Sequence, residues 1–291
     1  MSVTAVRERR PGRVLASLAR FLPALRVLAF VTAVGIVVAM AVRAGRDVDV
    51  RDVAWWPLVP AFAAALAWWL LLARGWALLV GGRWRRSDVG TWCRTQALRY
   101  LPGGIWAPAS RAVVVRGTLL DKLTTVGAEN VIGLCAALAV GGVALATAGD
   151  PRWLPLVLVL AGPVVAARFA GRRTRITPRR ALDATWNYLA AFVAYVLAAV
   201  LVQTAVSGFD EPLAVAGAAA LAWSAGLVVV IAPSGLAVRE VVYVALVAGT
   251  FPEADLVAAA VVLRVVTVLA ELAILLAAGR PTLPLRPSQA G

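Results

Sequence analysis

The chain consists largely of apolar runs about as long as a bilayer-crossing helix, and this feature limits its fold more than any other. A helix that crosses the hydrocarbon core needs about 20 predominantly apolar residues. Seven runs in the 291-residue sequence meet or approach that length, at residues 24–42, 53–73, 123–148, 153–168, 184–206, 212–232 and 254–279. Because they leave no segment for a soluble domain, we expect an all-α, polytopic integral membrane protein with about seven to eight transmembrane helices.

Composition and charge point the same way. Hydrophobic residues make up 62% of the chain, against about 45–50% in soluble globular domains. The net charge of +14 comes from arginines that cluster in short loops, which favours a membrane and argues against a nucleic-acid partner. Histidine is absent, and the two cysteines, Cys93 and Cys135, lie far apart. We therefore expect neither a metal site nor a cofactor.

The distribution of arginines predicts the orientation in the membrane. Residues 1–26 hold six arginines and one acid, and residues 168–180 hold six arginines and no acid, so both should face the cytoplasm. The loop at 207–211 has no basic residue and should lie outside. We expect a cell-membrane protein with both termini cytoplasmic. It would comprise a basic N-terminal segment, one membrane domain and a cytoplasmic tail, at residues 1–20, 21–280 and 281–291.

Two segments interrupt the apolar pattern with proline and glycine. The first is RYLPGGIWAPASR at 99–111, and the second is APSGLAVRE at 232–240. Proline removes a backbone donor and glycine loosens the chain, so a helix should stop at each segment. The residues that define the breaks are Pro102, Gly103, Gly104 and Trp106 in the first, and Pro233, Ser234 and Gly235 in the second.

The predicted orientation makes these two segments opposed. Residues 87–122 begin and end inside, whereas residues 212–252 begin and end outside, so we expect two re-entrant segments that form a weak inverted repeat. Paired Pro/Gly interruptions of this kind indicate a transporter binding site near the bilayer midplane. The alternative is that 212–232 and 238–250 are two plain spans joined by a tight loop.

Broken backbone in hydrocarbon leaves unpaired polar groups, which are tolerated only beside a cavity or within protein. We therefore expect the first break to line a cavity. The helix that follows Gly104 would present free N–H groups there, and Arg111 would add a full positive charge within two turns. Such a site suits an anionic head group.

Further ionisable residues lie within or beside apolar runs, where each is a candidate functional residue. They are Glu129, Arg239, Glu240, Arg264 and Glu271. Arg264 and Glu271 are seven residues apart, about 10 Å along a helix, so each should find its partner on another element or in water. The alternative role for these charges is to fix helix packing through buried ion pairs. The tryptophan pairs at 55–56 and 68–69 are interpreted as interfacial belts.

Together, the motifs QALRYLPGGIWAPASR, GAENVIGL, APSGLAVRE and LRVVTVLAEL resemble the flippase-like transmembrane region of the lysylphosphatidylglycerol synthase family. The resemblance covers approximately residues 20–280. It implies a polytopic bacterial or archaeal membrane protein with re-entrant hairpins, related to the domain that moves aminoacylated phospholipid. Ser234 departs from the glycine or other small residue expected there. The chain has no room for an aminoacyl-transferase domain, which argues against synthase activity.

The resemblance assigns functional roles to the residues that match its motifs. In the breaks they are Pro102, Gly103, Gly104, Trp106, Pro233 and Gly235, and among charged residues they are Arg111, Glu129, Arg239, Glu240, Arg264 and Glu271. We expect the protein to bind a lipid with a polar or charged head group, and to help it cross between leaflets. The partner would be an anionic or zwitterionic phospholipid or a lipid-linked head group. The arginines would contact phosphate, and the glutamates would balance them or accept a cationic group.

An enzyme is the competing hypothesis. The protein would then be a membrane component or partner enzyme of lipid-linked glycan assembly or phospholipid modification, with Glu129 or Glu240 as general base. The sequence favours this less, because it shows no metal cluster, phosphate-binding loop or nucleophile motif. A third alternative is a packing subunit of a larger complex, and the oligomeric state stays open.

Overall fold

The computed structural model describes residues 39, 42, 53–82, 86–100, 106–170, 174–229, 235 and 237–278. Over these residues the chain is helical and contains no strand. The predicted terminal segments and all but two residues of the first predicted span lie outside the described residues. So do five of the seven residues that define the breaks: Pro102, Gly103, Gly104, Pro233 and Ser234.

We number the α-helices of the described residues in chain order. They are α1 (Leu58–Gly81), α2 (Arg86–Gln96), α3 (Trp106–Val114), α4 (Leu119–Thr147), α5 (Ala161–Ala170), α6 (Pro178–Ser207), α7 (Pro212–Val228), α8 (Val238–Leu246) and α9 (Glu253–Ala278). Two 3-10 helices, Ala97–Tyr100 and Pro151–Leu160, extend α2 and precede α5.

Five helical segments are long and apolar enough to cross a membrane: Leu58–Gly81, Leu119–Thr147, Pro151–Phe169, Pro178–Ser207 and Glu253–Ala278. They coincide with five of the seven predicted runs, so the prediction of apolar helices compatible with a membrane protein is confirmed. The run predicted at 212–232 forms α7, which has 17 residues and is shorter than a usual crossing helix. A count of seven to eight spans stays a prediction.

Local sequence signals fix the ends of several helices. At the start of α4, Thr118 accepts a hydrogen bond from the backbone N–H of Asp121, and the Asp121 carboxylate accepts one from the backbone N–H of Thr118. This reciprocal cap satisfies donors that a helix start leaves unpaired. Thr177 caps α6, and Pro178 follows it at the first helical position. Gly82 ends α1 in the left-handed conformation, with φ 68°.

Small residues allow the helices to approach closely. α1 packs along α6, where a methyl group added at Gly75 would lie 2.3 Å from the Tyr188 ring. α4 packs along α7, where a methyl group at Gly217 would lie 2.4 Å from Leu145. Such glycines are typical of helix contacts in membranes, because van der Waals packing drives association there. The close packing of α1, α4, α6 and α7 frames the space that the charged residues border.

Candidate functional site

A cavity of about 480 Å³ lies between α1, α2, α3, α4, α6, α7, α8 and Gly235, which precedes α8. Four tryptophans border it: Trp68, Trp69, Trp92 and Trp223. Four charged side chains also border it: Arg99, Arg111, Glu129 and Arg239. A smaller cavity of about 30 Å³ adds Glu240 and Arg264 and shares Arg99 and Arg239 with the larger one. Buried charge of both signs therefore collects in one region of the molecule.

Arg111 on α3 forms several polar contacts. Its Nη1 donates to Glu129 Oε1, its Nη2 donates to Gln96 Oε1, and its Nε donates to Thr95 Oγ1 over 3.2 Å. The guanidinium carbon lies 5.0 Å from the centroid of the Trp92 ring, within range of a cation–π interaction. Because each guanidinium nitrogen has an acceptor, Arg111 ties α2 and α4 to α3.

Glu129 on α4 receives a second donor from α2. Trp92 Nε1 donates to Glu129 Oε1 over 2.6 Å, and the residue is 6% exposed. Trp92 and Gln96 are four residues apart on α2, so both reach the same side of that helix. The second oxygen, Glu129 Oε2, is buried and accepts no hydrogen bond from the residues that the structure describes. The Glu129 residue lines the larger cavity.

Two further ion pairs join distant parts of the chain. Arg99 Nη2 lies 2.7 Å from Glu271 Oε2 on α9, and the Arg99 guanidinium carbon lies 4.6 Å from the Trp69 ring centroid. Arg264 Nε on α9 lies 3.9 Å from Glu240 Oε1 on α8. The prediction that Arg264 and Glu271 find partners on other elements is confirmed.

Arg239, in the first turn of α8, differs from the other cavity arginines. Its guanidinium carbon lies 5.4 Å from the Trp223 ring centroid. It forms no ion pair within the described part of the chain, and its Nε is buried without a hydrogen-bond acceptor there. Two glycines make room for it: a methyl group at Gly226 or Gly235 would lie 2.5 or 2.8 Å from its side chain. Gly235 also needs its positive φ of 66°, which glycine adopts without steric cost.

The larger cavity has an apolar border. Val131, Val228 and Val229 line it and are 52%, 64% and 39% exposed. Exposed valines around a charged interior suit a mouth that faces acyl chains, because exposing apolar side chains to water is unfavourable. The site therefore combines a charged interior with an apolar border.

All six charged residues predicted for the site lie in this region. The larger cavity is lined by Arg111, Glu129 and Arg239, and the smaller one by Glu240 and Arg264. Glu271 contacts Arg99, which borders both cavities. Of the described break residues, Gly235 lines the larger cavity. Trp106 begins α3, is 45% exposed and is not among the lining residues. The expectation that the whole first break lines a cavity stays a prediction.

Sequence reasoning missed several lining residues. Trp92, Gln96 and Arg99 are spaced i, i+4 and i+7, a pattern that marks one helix face and could have identified them. The interpretation of residues 68–69 as an interfacial belt is wrong: Trp68 and Trp69 are each 1% exposed and form the wall of both cavities. Trp55 and Trp56 are exposed, at 75% and 61%.

The fold and the cavity define a class of protein, a bundle of apolar helices compatible with a membrane that encloses a charged and aromatic site. No three His, Cys, Asp or Glu side chains come together as metal ligands among the described residues. No protein-family model, curated protein or solved structure matches the chain. The resemblance to the lysylphosphatidylglycerol synthase family therefore stays a prediction from the motifs.

Proposed function

We propose that this protein binds a membrane lipid by its polar head group and moves the lipid between the leaflets of the cell membrane. The observation that carries the proposal is the 480 Å³ cavity, in which buried charges of both signs lie behind an exposed apolar border. Its volume is within the range of about 300–1,000 Å³ of small-molecule sites. A head group fits such a volume, while the acyl chains would stay among lipid beyond the valines.

The burial of charge supports a polar ligand. An ionisable side chain at the bilayer centre costs about 2.5–3.5 kcal/mol on insertion scales, so charges there usually mark a substrate pathway. Arg111 and Glu129 are 5% and 6% exposed and still border the cavity. Their ion pair gives the cavity a polar wall, which could replace water around a head group that crosses the membrane.

The position of the two breaks also supports the proposal. Arg99 and Pro108 belong to the first break, and both line the larger cavity. Val229 precedes the second break and Gly235 belongs to it, and these also line the cavity. Both interrupted segments thus meet the same space, as expected for broken helices at a transport site. We propose that they are opposed re-entrant segments of an inverted repeat within seven to eight spans.

A reconstitution assay tests the proposal. The purified chain is placed in vesicles that contain a trace of fluorescent head-group-labelled phospholipid, and an impermeant reductant reports how fast inner-leaflet label reaches the outer leaflet. We expect faster exchange than in protein-free vesicles, slower exchange with Glu129→Gln, and no change with Arg116→Gln, whose side chain is exposed and outside the cavity. Wild-type exchange equal to that of empty vesicles overturns the proposal, and a covalently altered lipid would favour an enzyme.

A further inference from the structure

We infer that Arg239 is the anion ligand of this cavity and that the site selects a lipid head group with a single negative charge. The inference rests on the proposed function and deepens it, because it names the residue that contacts the head group and the charge of the substrate. The sequence led us to expect that Arg111, Arg239 and Arg264 all contact phosphate, and the inference limits this role to Arg239. Within the described residues, the charge pattern singles out Arg239.

The charges of the two cavities nearly balance. Glu129 neutralises Arg111, Glu271 neutralises Arg99, and Glu240 lies nearest to Arg264. One positive charge, that of Arg239, forms no ion pair with a carboxylate among the described lining residues, and Glu240 acts on it only at longer range. An unpaired charge away from water is unfavourable, and a bound anion would remove that cost. One cation matches one negative charge, as on a phosphodiester.

The surroundings of Arg239 favour an anion further. Arg239 is the second residue of α8, whose preceding residue, Ala237, provides no side-chain cap. A helix start carries a partial positive charge, so a cation in its first turn is disfavoured; Glu240 is the acid in that turn, and it also pairs with Arg264. Arg264, a second cation, borders the same smaller cavity. The Trp223 ring lies against the face of the Arg239 guanidinium. The guanidinium nitrogens can bind two oxygens of a phosphate or carboxylate at once.

A zwitterionic head group is a poorer match. Its ammonium would need an uncompensated carboxylate, but Glu129, Glu240 and Glu271 each have an arginine partner. A dianionic head group would leave a second negative charge with no cation to neutralise it. Both would bring an unmatched charge against largely buried side chains.

Native mass spectrometry of the full chain in detergent tests the inference. The protein is offered an equimolar mixture of phosphatidylglycerol, a monoanion, and phosphatidylcholine, a zwitterion, with identical acyl chains. We expect about ten-fold preferred binding of phosphatidylglycerol, equivalent to about 1.4 kcal/mol. Arg239→Gln should abolish the preference, Arg239→Lys should keep part of it, and Arg116→Gln, which removes the same charge from an exposed position, should leave it unchanged.

A competition with inorganic phosphate at millimolar concentration shows whether the ligand is a lipid or a soluble anion. If phosphate does not displace phosphatidylglycerol, the lipid is the ligand; if it displaces the lipid completely, the inference is overturned. Equal binding of the two lipids by the wild type also overturns it, even if the Gln variant does not fold. If the vesicles show lipid exchange but the protein has no binding preference, the proposed function stands and the inference is overturned. If the protein prefers phosphatidylglycerol but the vesicles show no exchange, the proposed function is overturned and the assignment of Arg239 stands.

Discussion

Arg111 on α3 and Glu129 on α4 form an ion pair in which each side chain is only 7% exposed. Trp92 adds a hydrogen bond to the same carboxylate oxygen. The pair joins two helices that a short connection separates, and it forms part of the cavity wall. A buried pair is costly to break on one side, because the remaining charge stays away from water without a partner.

The first prediction concerns this pair. Arg111→Ala should lower the free energy of unfolding by about 3–5 kcal/mol, since it isolates the Glu129 carboxylate. Combining it with Glu129→Gln should recover much of that loss, because no isolated charge remains. Thermal unfolding of the detergent-solubilised protein, followed by circular dichroism, would show both effects.

A matched control is available at the surface. Arg152 pairs with Asp150, and its side chain is 77% exposed, so Arg152→Ala should change the free energy of unfolding by less than about 1 kcal/mol. A double variant at Arg111 and Glu129 that is no more stable than Arg111→Ala would show that the ion pair is not what holds α3 to α4.

The sequence predicted the long helices well because a bilayer sets their length. An apolar run of about 20 residues has few alternatives to a crossing helix, and α1, α4, α6 and α9 follow such runs closely. The charged candidates could be predicted for a related reason, since ionised groups are rare in such runs and each needs a partner.

The partners themselves could not be predicted. Arg99 and Glu271 are 172 residues apart, and only the tertiary packing of α9 brings them together. The belt interpretation of Trp68 and Trp69 failed because tryptophan is amphipathic: its ring suits both a membrane interface and the wall of a charged cavity. They lie near the middle of α1 at Leu58–Gly81, whereas the run predicted at 53–73 placed them toward its end.

The second prediction tests close packing of α1 on α6. Gly75→Ala places a methyl group 2.3 Å from the Tyr188 ring, so we expect it to lower the free energy of unfolding by about 1–3 kcal/mol. Gly127→Ala is the matched control, because nothing lies within 4 Å of its added methyl group. It should raise the stability of α4 by up to about 1 kcal/mol. The same thermal unfolding measurement compares them, and equal effects would contradict the packing argument.

The third prediction links a glycine to lipid selectivity. Gly226→Ala would bring a methyl group to 2.5 Å from the Arg239 side chain, so the guanidinium must move from its place over Trp223. We expect the preference for phosphatidylglycerol over phosphatidylcholine to fall several-fold in native mass spectra. Gly127→Ala serves again as the control. An unchanged preference in Gly226→Ala would show that the position of Arg239 does not set selectivity.

The fourth prediction concerns orientation in the membrane. In a Cys93→Ala, Cys135→Ala background, Arg116→Cys should react with an impermeant maleimide only from the cytoplasmic side, because its segment holds many basic residues. Phe209→Cys should react only from outside, since residues 207–211 hold no basic residue. Intact cells and inside-out vesicles provide the two sides. Labelling of both positions from the same side would overturn the predicted topology.

The fifth prediction tests which phase the cavity border meets. Val131 on α4 and Val228 at the end of α7 line the larger cavity and are exposed. If the mouth opens to acyl chains, nitroxide labels at Val131→Cys and Val228→Cys in vesicles should collide with oxygen more often than with a water-soluble nickel complex. Ala148→Cys, at the exposed turn after α4, should show the opposite preference. A nickel-accessible label at both valines would mean that the mouth faces water, and the route by which a lipid enters would have to lie elsewhere.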